Sequence, residues 1–138
     1  MENCVFCKIV KKELQIPSDI YENESIFVFL SRDPVSKGHA LLIPKKHFSN
    51  IYEIDDEAAK ALGVGLRQVS TAVKKAMDAH GINIHMNNDK AAGQEVFHAH
   101  FHIIPRFVGD GRMHWKAGDG YKKGEVEEIA KMIREKIN

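Results

Sequence analysis

The sequence predicts a single α+β domain: about five short strands in a mostly antiparallel sheet, a long helix packed on it, a short N-terminal helix and a C-terminal helix. Three observations carry this. The chain has 138 residues, the size of one ordinary domain. Short β-rich runs are separated by Gly, Pro, Asn and Asp turn signals, close enough together to form hairpins. One long stretch, 55–79, repeats apolar residues at three- and four-residue intervals. The strands joined by hairpins and the separate helices indicate helices on one face of the sheet.

The elements follow in order. Val5, Phe6, Ile9 and Val10 are spaced as one face of a short helix within residues 4–13. Ile20–Tyr21 and Ile26–Leu30 read as a hairpin around Glu22-Asn23-Glu24. After the turn signals Asp33-Pro34 and Lys37-Gly38, His39–Ile43 forms a third strand closed by Pro44. Asp55 is the expected N-cap of the long helix, whose buried stripe is Ala58, Leu62, Leu66, Val69, Val73 and Met77. Gly81 is its expected stop. Gly63 and Gly65 weaken that helix by roughly 1 kcal/mol each against Ala, which points to close packing there. Ile82–Met86 and Ala99–Ile104 are two further strands around a turn at 89–93. Residues 107–122 read as a glycine-rich loop, and Val126, Ile129, Met132, Ile133 and Ile137 as a helix face.

Composition excludes several function classes. Lys+Arg 20 against Asp+Glu 19 gives a net charge of +1, no electrostatic footprint for nucleic acid or an anionic membrane. No apolar run approaches a membrane span, and Met1-Glu2-Asn3-Cys4 does not read as a secretory signal; the expected location is the cytoplasm. The basic clusters Lys8-Ile9-Val10-Lys11-Lys12 and Lys45-Lys46 read as solvated faces. The two cysteines, in Cys4-Val5-Phe6-Cys7, form a C-x2-C pair suited to half a zinc site or a redox pair.

The chemistry concentrates at Phe97-His98-Ala99-His100-Phe101-His102-Ile103-Ile104-Pro105. On a strand, alternate residues share a face, so His98, His100 and His102 would point one way, roughly 6–7 Å apart. Two readings of three such imidazoles compete: convergence on a catalytic metal, or one nucleophilic imidazole whose neighbours manage protons and charge.

His98-Ala99-His100-Phe101-His102-Ile103-Ile104 resembles the motif of the histidine triad (HIT) nucleotide-binding hydrolases. Further stretches resemble the same family: Cys4–Ile9, Gly38–His47, Ala92-Gly93-Gln94-Glu95-Val96-Phe97, and Met113-His114-Trp115, which is similar to the tail of the Hint branch. The resemblance covers about residues 4–115 and leaves 116–138 as an extension. It implies a HIT-like fold and a two-fold homodimer with the long helix and a strand at the interface. It also implies hydrolysis at the α-phosphate of a purine nucleotide, a phosphoramidate or a dinucleoside polyphosphate, through a nucleotidyl-histidine. His100 would then be the nucleophile, with His102 and His39 lining the phosphate site. Asn87 and Gln94 match amides near the active centre, and Val5, Phe6, Ile9 and Phe29 match an apolar base pocket. Trp115 matches a residue that reaches the partner's site. Cys4, Cys7, His47 and His98 match the ligands of a structural zinc in bacterial-type members.

Three positions depart from the family pattern. Ser31 stands in place of an Asp or Asn for the ribose hydroxyls, Arg32 in place of an apolar residue, and Glu95 in place of Ser or Thr near the leaving group. The galactose-1-phosphate uridylyltransferase branch carries Gln at the third triad position, where this chain has His102. The alternatives to a nucleotide hydrolase are a non-enzymatic nucleotide-binding or scaffolding module shaped by zinc, and a three-histidine metalloenzyme.

Overall fold

The computed structural model describes residues 3–16, 19–112 and 117–137. Five strands form one antiparallel sheet in the order β1-β2-β3-β5-β4: β1 Asp19–Glu22, β2 Ile26–Leu30, β3 Ala40–Pro44, β4 Gly81–His85 and β5 Phe101–Arg106. The helices are α1 Val5–Val10, α2 Asp56–Ala76 and α3 Glu125–Arg134. The expected α+β architecture is therefore present. No helix among the described residues is long and apolar enough to cross a membrane.

The central strands are buried on both faces. Ile26, Val28, Ala40, Leu42 and Ile103 face α2, meeting Leu62, Val69 and Val73 of its apolar stripe. Phe27, Phe29, Leu41 and Ile43 face the other way and meet Phe6 and Ile9 of α1. Because β2 and β3 are apolar at every position, both faces need a cover. The helices consequently lie on opposite faces, not on one. Of the two glycines in α2, only Gly65 serves close approach: a Cβ there would stand 2.5 Å from Ile26 Cδ1, whereas Gly63 faces open space.

Asp55 caps α2 as expected, accepting from the Ala58 N–H at 2.9 Å. The stop is not Gly81, which opens β4. The helix ends at Ala76, and Asp78 takes the left-handed conformation (φ 49°). The Ala79 N–H then donates to Lys74 C=O at 2.9 Å and the Asp78 N–H to Lys75 C=O at 3.3 Å, the paired bonds of a Schellman turn. α3 buries none of its residues; Val126, Ile129, Met132 and Ile133 stand exposed. Two of the basic clusters are partly engaged at the surface, Lys12 and Lys45 with Glu22 and Lys46 with Asp55.

The triad departs from a single strand. β5 begins at Phe101, so only His102 lies in its ladder, while His98 and His100 belong to the irregular segment before it, which bends at His98. The pairing of β3 with β5 covers Ala40–Leu42 against Phe101–Ile103. Beyond it, the Ala99 N–H donates to Phe48 C=O at 2.7 Å, and the carbonyl of Pro44 is taken by the His98 ring. One backbone bond outside the ladder and one imidazole bond stand in its place, and the three rings still fall on the α1 face of the sheet.

Candidate active site

On that face a cavity of about 570 Å³ opens between α1, the loop 31–39 and the run leading into β5. Its apolar end is formed by Val5, Phe6, Ile9 and Phe29, and its polar side by His39, His85, His100 and His102. Ser31, Arg32, Asn87, Gly93 and Glu95 line the rest. Phe6 packs edge-on against the His100 ring, centroids 5.2 Å apart.

Hydrogen bonds assign a different task to each triad ring. The His100 Nδ1–H donates to the His98 carbonyl at 2.7 Å, which leaves the Nε2 lone pair free. The Val35 N–H donates to His39 Nδ1 at 3.0 Å, so a neutral His39 carries its proton on Nε2. That N–H then donates to His102 Nδ1 at 2.9 Å, which places the His102 proton on its own Nε2. One backbone amide thereby sets the tautomers of two imidazoles. His98 is oriented the other way: its Nε2–H donates to Pro44 C=O at 2.8 Å, and Nδ1 is left as the ligating atom.

That Nδ1 faces sulfur. It lies 3.4 Å from Cys4 Sγ and 3.6 Å from Cys7 Sγ, and His47 Nδ1 lies 3.3 Å from Cys7 Sγ. All four donor atoms fall within 4.8 Å of one another. A metal bound tetrahedrally at ordinary Zn–S and Zn–N lengths separates S from N by about 3.5 Å, so these three S–N separations match edges of one tetrahedron. The Cys7 N–H also donates to Cys4 Sγ at 3.4 Å. Burial, then the neighbouring Cys4, pushes the Cys7 thiol up, the expected state of a buried ligand whose proton a metal would displace. His98 thus belongs to this cluster, and the triad rings do not converge on a catalytic metal.

Most of the sequence-derived site residues meet around the cavity. Gln94 does not line it: its Nε2 donates to Ser49 C=O at 2.6 Å and Val96 C=O at 3.0 Å, and its Oε1 accepts from the Asp89 N–H at 2.8 Å. The amide clasps the 89–93 turn, where Asp89 is held at φ 69° and Gly93 at φ 87°. Asn87 Nδ2 reaches Gly93 C=O at 3.4 Å. Trp115 lies outside the described residues.

The model of the HIT domain family matches residues 13–109. The chain belongs to the HIT family. The HIT protein named "Protein hit" of Bacillus subtilis is 41% identical over 99% of this chain and 95% of its own length. A solved HIT-family structure from Bacillus subtilis superposes with a TM-score of 0.91 at 38% identity, covering 99% of this chain and 98% of that one. These likenesses extend through residues 116–138, beyond the Hint resemblance. A Zn-bound histidine triad family protein from Mycobacterium smegmatis has a TM-score of 0.76 at 30% identity over 98% of this chain and 99% of its own. Two relatives carry activities in their names. Adenosine 5'-monophosphoramidase HNT1 of Saccharomyces cerevisiae is 42% identical over 75% of this chain and 62% of its own length. Adenylylsulfatase HINT3 of Arabidopsis thaliana is 38% identical over 75% of this chain and 52% of its own length.

Burial keeps the rings of this HIT site neutral. It holds His100 below the ordinary imidazole range, partly offset by the His98 carbonyl, and His39 below it as well. His102 is pushed down to about 4, by burial first and then by His100, His39 and His85. An unfolded imidazole titrates near 6.5. Between about 6.5 and 4 the unfolded chain binds this proton and the folded chain does not, so stability is full above that window and falls as pH drops through it. The denaturant midpoint is expected to decline from pH 7 to pH 5, and less steeply in His102→Gln. Equal slopes in the two proteins would contradict this.

His85 also lines the cavity, and the sequence singles it out only as part of the strand Ile82–Met86. The alternation Ile82-Asn83-Ile84-His85 placed it on a face, but only the β4–β5 register shows that this is the triad face.

Proposed function

We propose that this HIT protein is a hydrolase that cleaves the bond between the α-phosphorus of a purine nucleotide and its leaving group, releasing a nucleoside monophosphate. The observation that carries the reading is His100: its Nδ1–H is committed to the His98 carbonyl, and its unprotonated Nε2 belongs to a cavity with one apolar end. The base lies against Val5, Phe6, Ile9 and Phe29. His100 Nε2 attacks phosphorus, the N–P bond forms as the bond to the leaving group breaks, and an amine leaving group departs with a proton drawn from solvent, which the water of the next step gives back. Water then attacks phosphorus, the N–P bond breaks, and His100 returns to its starting tautomer. The Nε2–H of His102, oriented through His39, donates to a phosphoryl oxygen as charge develops. The activities named for the Saccharomyces and Arabidopsis relatives favour a phosphoramidate or an adenylyl sulfate. Incubation with adenosine 5'-phosphoramidate should release AMP; a folded protein that releases none from that substrate, from adenylyl sulfate or from a dinucleoside polyphosphate would refute the reading.

Cys4, Cys7, His47 and His98 would hold one structural zinc, closed to substrate, which ties α1 and its share of the base pocket to the sheet. The donor geometry and the Zn-bound Mycobacterium smegmatis relative support this. The protein would be a cytoplasmic homodimer: an apolar groove along α2, lined by Ile20, Tyr21, Val69, Val73 and Met77, and the open edge of β4 suit self-association. Asn87 and Ser31 would contact phosphate and ribose, Gln94 would hold the 89–93 turn beside Asn87, and Trp115 would approach the partner's site.

Glu95 is exposed at the cavity rim, where a carboxylate repels an anionic leaving group. Glu95→Ser should raise kcat/KM for anionic-leaving-group substrates relative to lysyl phosphoramidates by about twofold to fivefold, the scale of one exposed charge contact. An unchanged ratio between the two substrate types would contradict it.

A further inference from the structure

β4 ends on an imidazole that the triad chemistry leaves without a task. His85 stands directly across the β4–β5 ladder from His102. Its ring centroid is 4.9 Å from that of His102, which is 5.1 Å from that of His100. The three rings form a row that leads from the nucleophile to the edge strand of the sheet. His85 is half-buried and lines the same cavity. His39, His100 and His102 each commit a ring nitrogen to a protein partner. His85 takes no part in those bonds, and among the described residues both its nitrogens are available to a ligand.

Direction decides what that ligand is. The apolar end of the cavity lies on the α1 side, where Phe6 meets His100. A nucleotide with its base at α1 and its α-phosphorus at His100 extends whatever is bonded to that phosphorus toward β4. We propose that His85 is a specificity-determining residue that donates a hydrogen bond to oxygens of an anionic leaving group, a sulfate or a further phosphate. This rests on the hydrolase reading for the position of the α-phosphorus. An imidazole offers an N–H in either protonation state, which suits a sulfate or phosphate with several acceptor oxygens, whereas an amine nitrogen offers at most one lone pair to accept it. The charged groups that line the cavity are Glu95, Arg32 and Asp33, and Arg32 is engaged with Asp33 at 3.3 Å.

The test compares kcat/KM for adenylyl sulfate and for adenosine 5'-phosphoramidate in the wild type, His85→Val and His85→Gln. His85→Val should lose about tenfold on the sulfate, the scale of one hydrogen bond to a charged group, with little loss on the phosphoramidate. His85→Gln, which keeps a donor, should recover part of it. Equal losses on both substrates, or no loss on either, overturn the proposal. A second measurement does not need turnover: in imidazole NMR spectra of the full-length wild type, ADP should shift His85 and AMP should not. If ADP shifts His85 while neither substrate is hydrolysed, the site stands and the hydrolase reading fails. If ADP leaves His85 unmoved, the site falls even in an active enzyme.

Discussion

His100→Ala is expected to reduce AMP release from adenosine 5'-phosphoramidate by about 10⁴-fold or more, the scale of losing a covalent nucleophile. The argument is geometric. His100 is the one triad ring whose Nδ1–H is held by a carbonyl while its Nε2 has no protein partner among the described residues. His102 and His98 have other commitments, to His39 and to the cysteine cluster. Neither can take over the attack without breaking a bond that orients it. His100→Asn serves as the companion variant, since its shorter amide partly fills the site without nucleophilic nitrogen. Rapid quenching should trap a nucleotide on the wild-type His100 ring and none on either variant. A loss below about tenfold, or a nucleotide mapped to another side chain, would refute this assignment of the nucleophile.

Removal of the metal should act on stability first and on chemistry second. Cys7→Ala removes the sulfur beside both the His47 and His98 Nδ1 atoms, leaves Cys4 alone beside His98, and opens the tetrahedron. Because metal-binding free energy counts toward folding, the expected cost is on the order of 4 kcal/mol or more, in the range reserved for loss of a structural metal or a core network. The purified wild type should carry one zinc per chain, and Cys7→Ala none. Chelation should lower the denaturant midpoint and raise KM, through loss of α1 as a wall of the base pocket, more than it lowers kcat. If chelation abolished kcat while leaving the midpoint untouched, the metal would belong to the chemistry and the structural role would be wrong.

The fold was largely legible because its signals are local. Asp55 at the start of α2, the apolar stripe Leu62–Val69–Val73 and the continuous runs Ile26–Phe29 and Ala40–Ile43 each fall within a few residues of one another. Where the reading failed, the deciding contact was distant or chemically unusual. The end of α2 went to Asp78 instead of a glycine, because a short polar side chain tolerates the left-handed conformation that the Schellman turn requires. The single three-histidine strand dissolved because Pro44 meets the His98 ring, across 54 residues of chain. The placement of α1 opposite α2 followed from strands apolar on both faces, a clue that periodicity alone does not separate from a one-sided core.

The sequence by itself determined which side chains carry the chemistry: three alternating histidines, the C-x2-C pair, and His39 and His47 flanking an apolar strand. Only the tertiary structure divided the labour among them. An imidazole has two nitrogens, and what one can do depends on what the other binds. For His98 the partners are Pro44 and two cysteines more than 90 residues away, for His100 the carbonyl two residues before it, and for His102 a ring that a loop amide has already oriented. Those partners are brought together by strand order and register, so the roles proposed for these rings as ligand, nucleophile and donor can be told apart only once the sheet has formed.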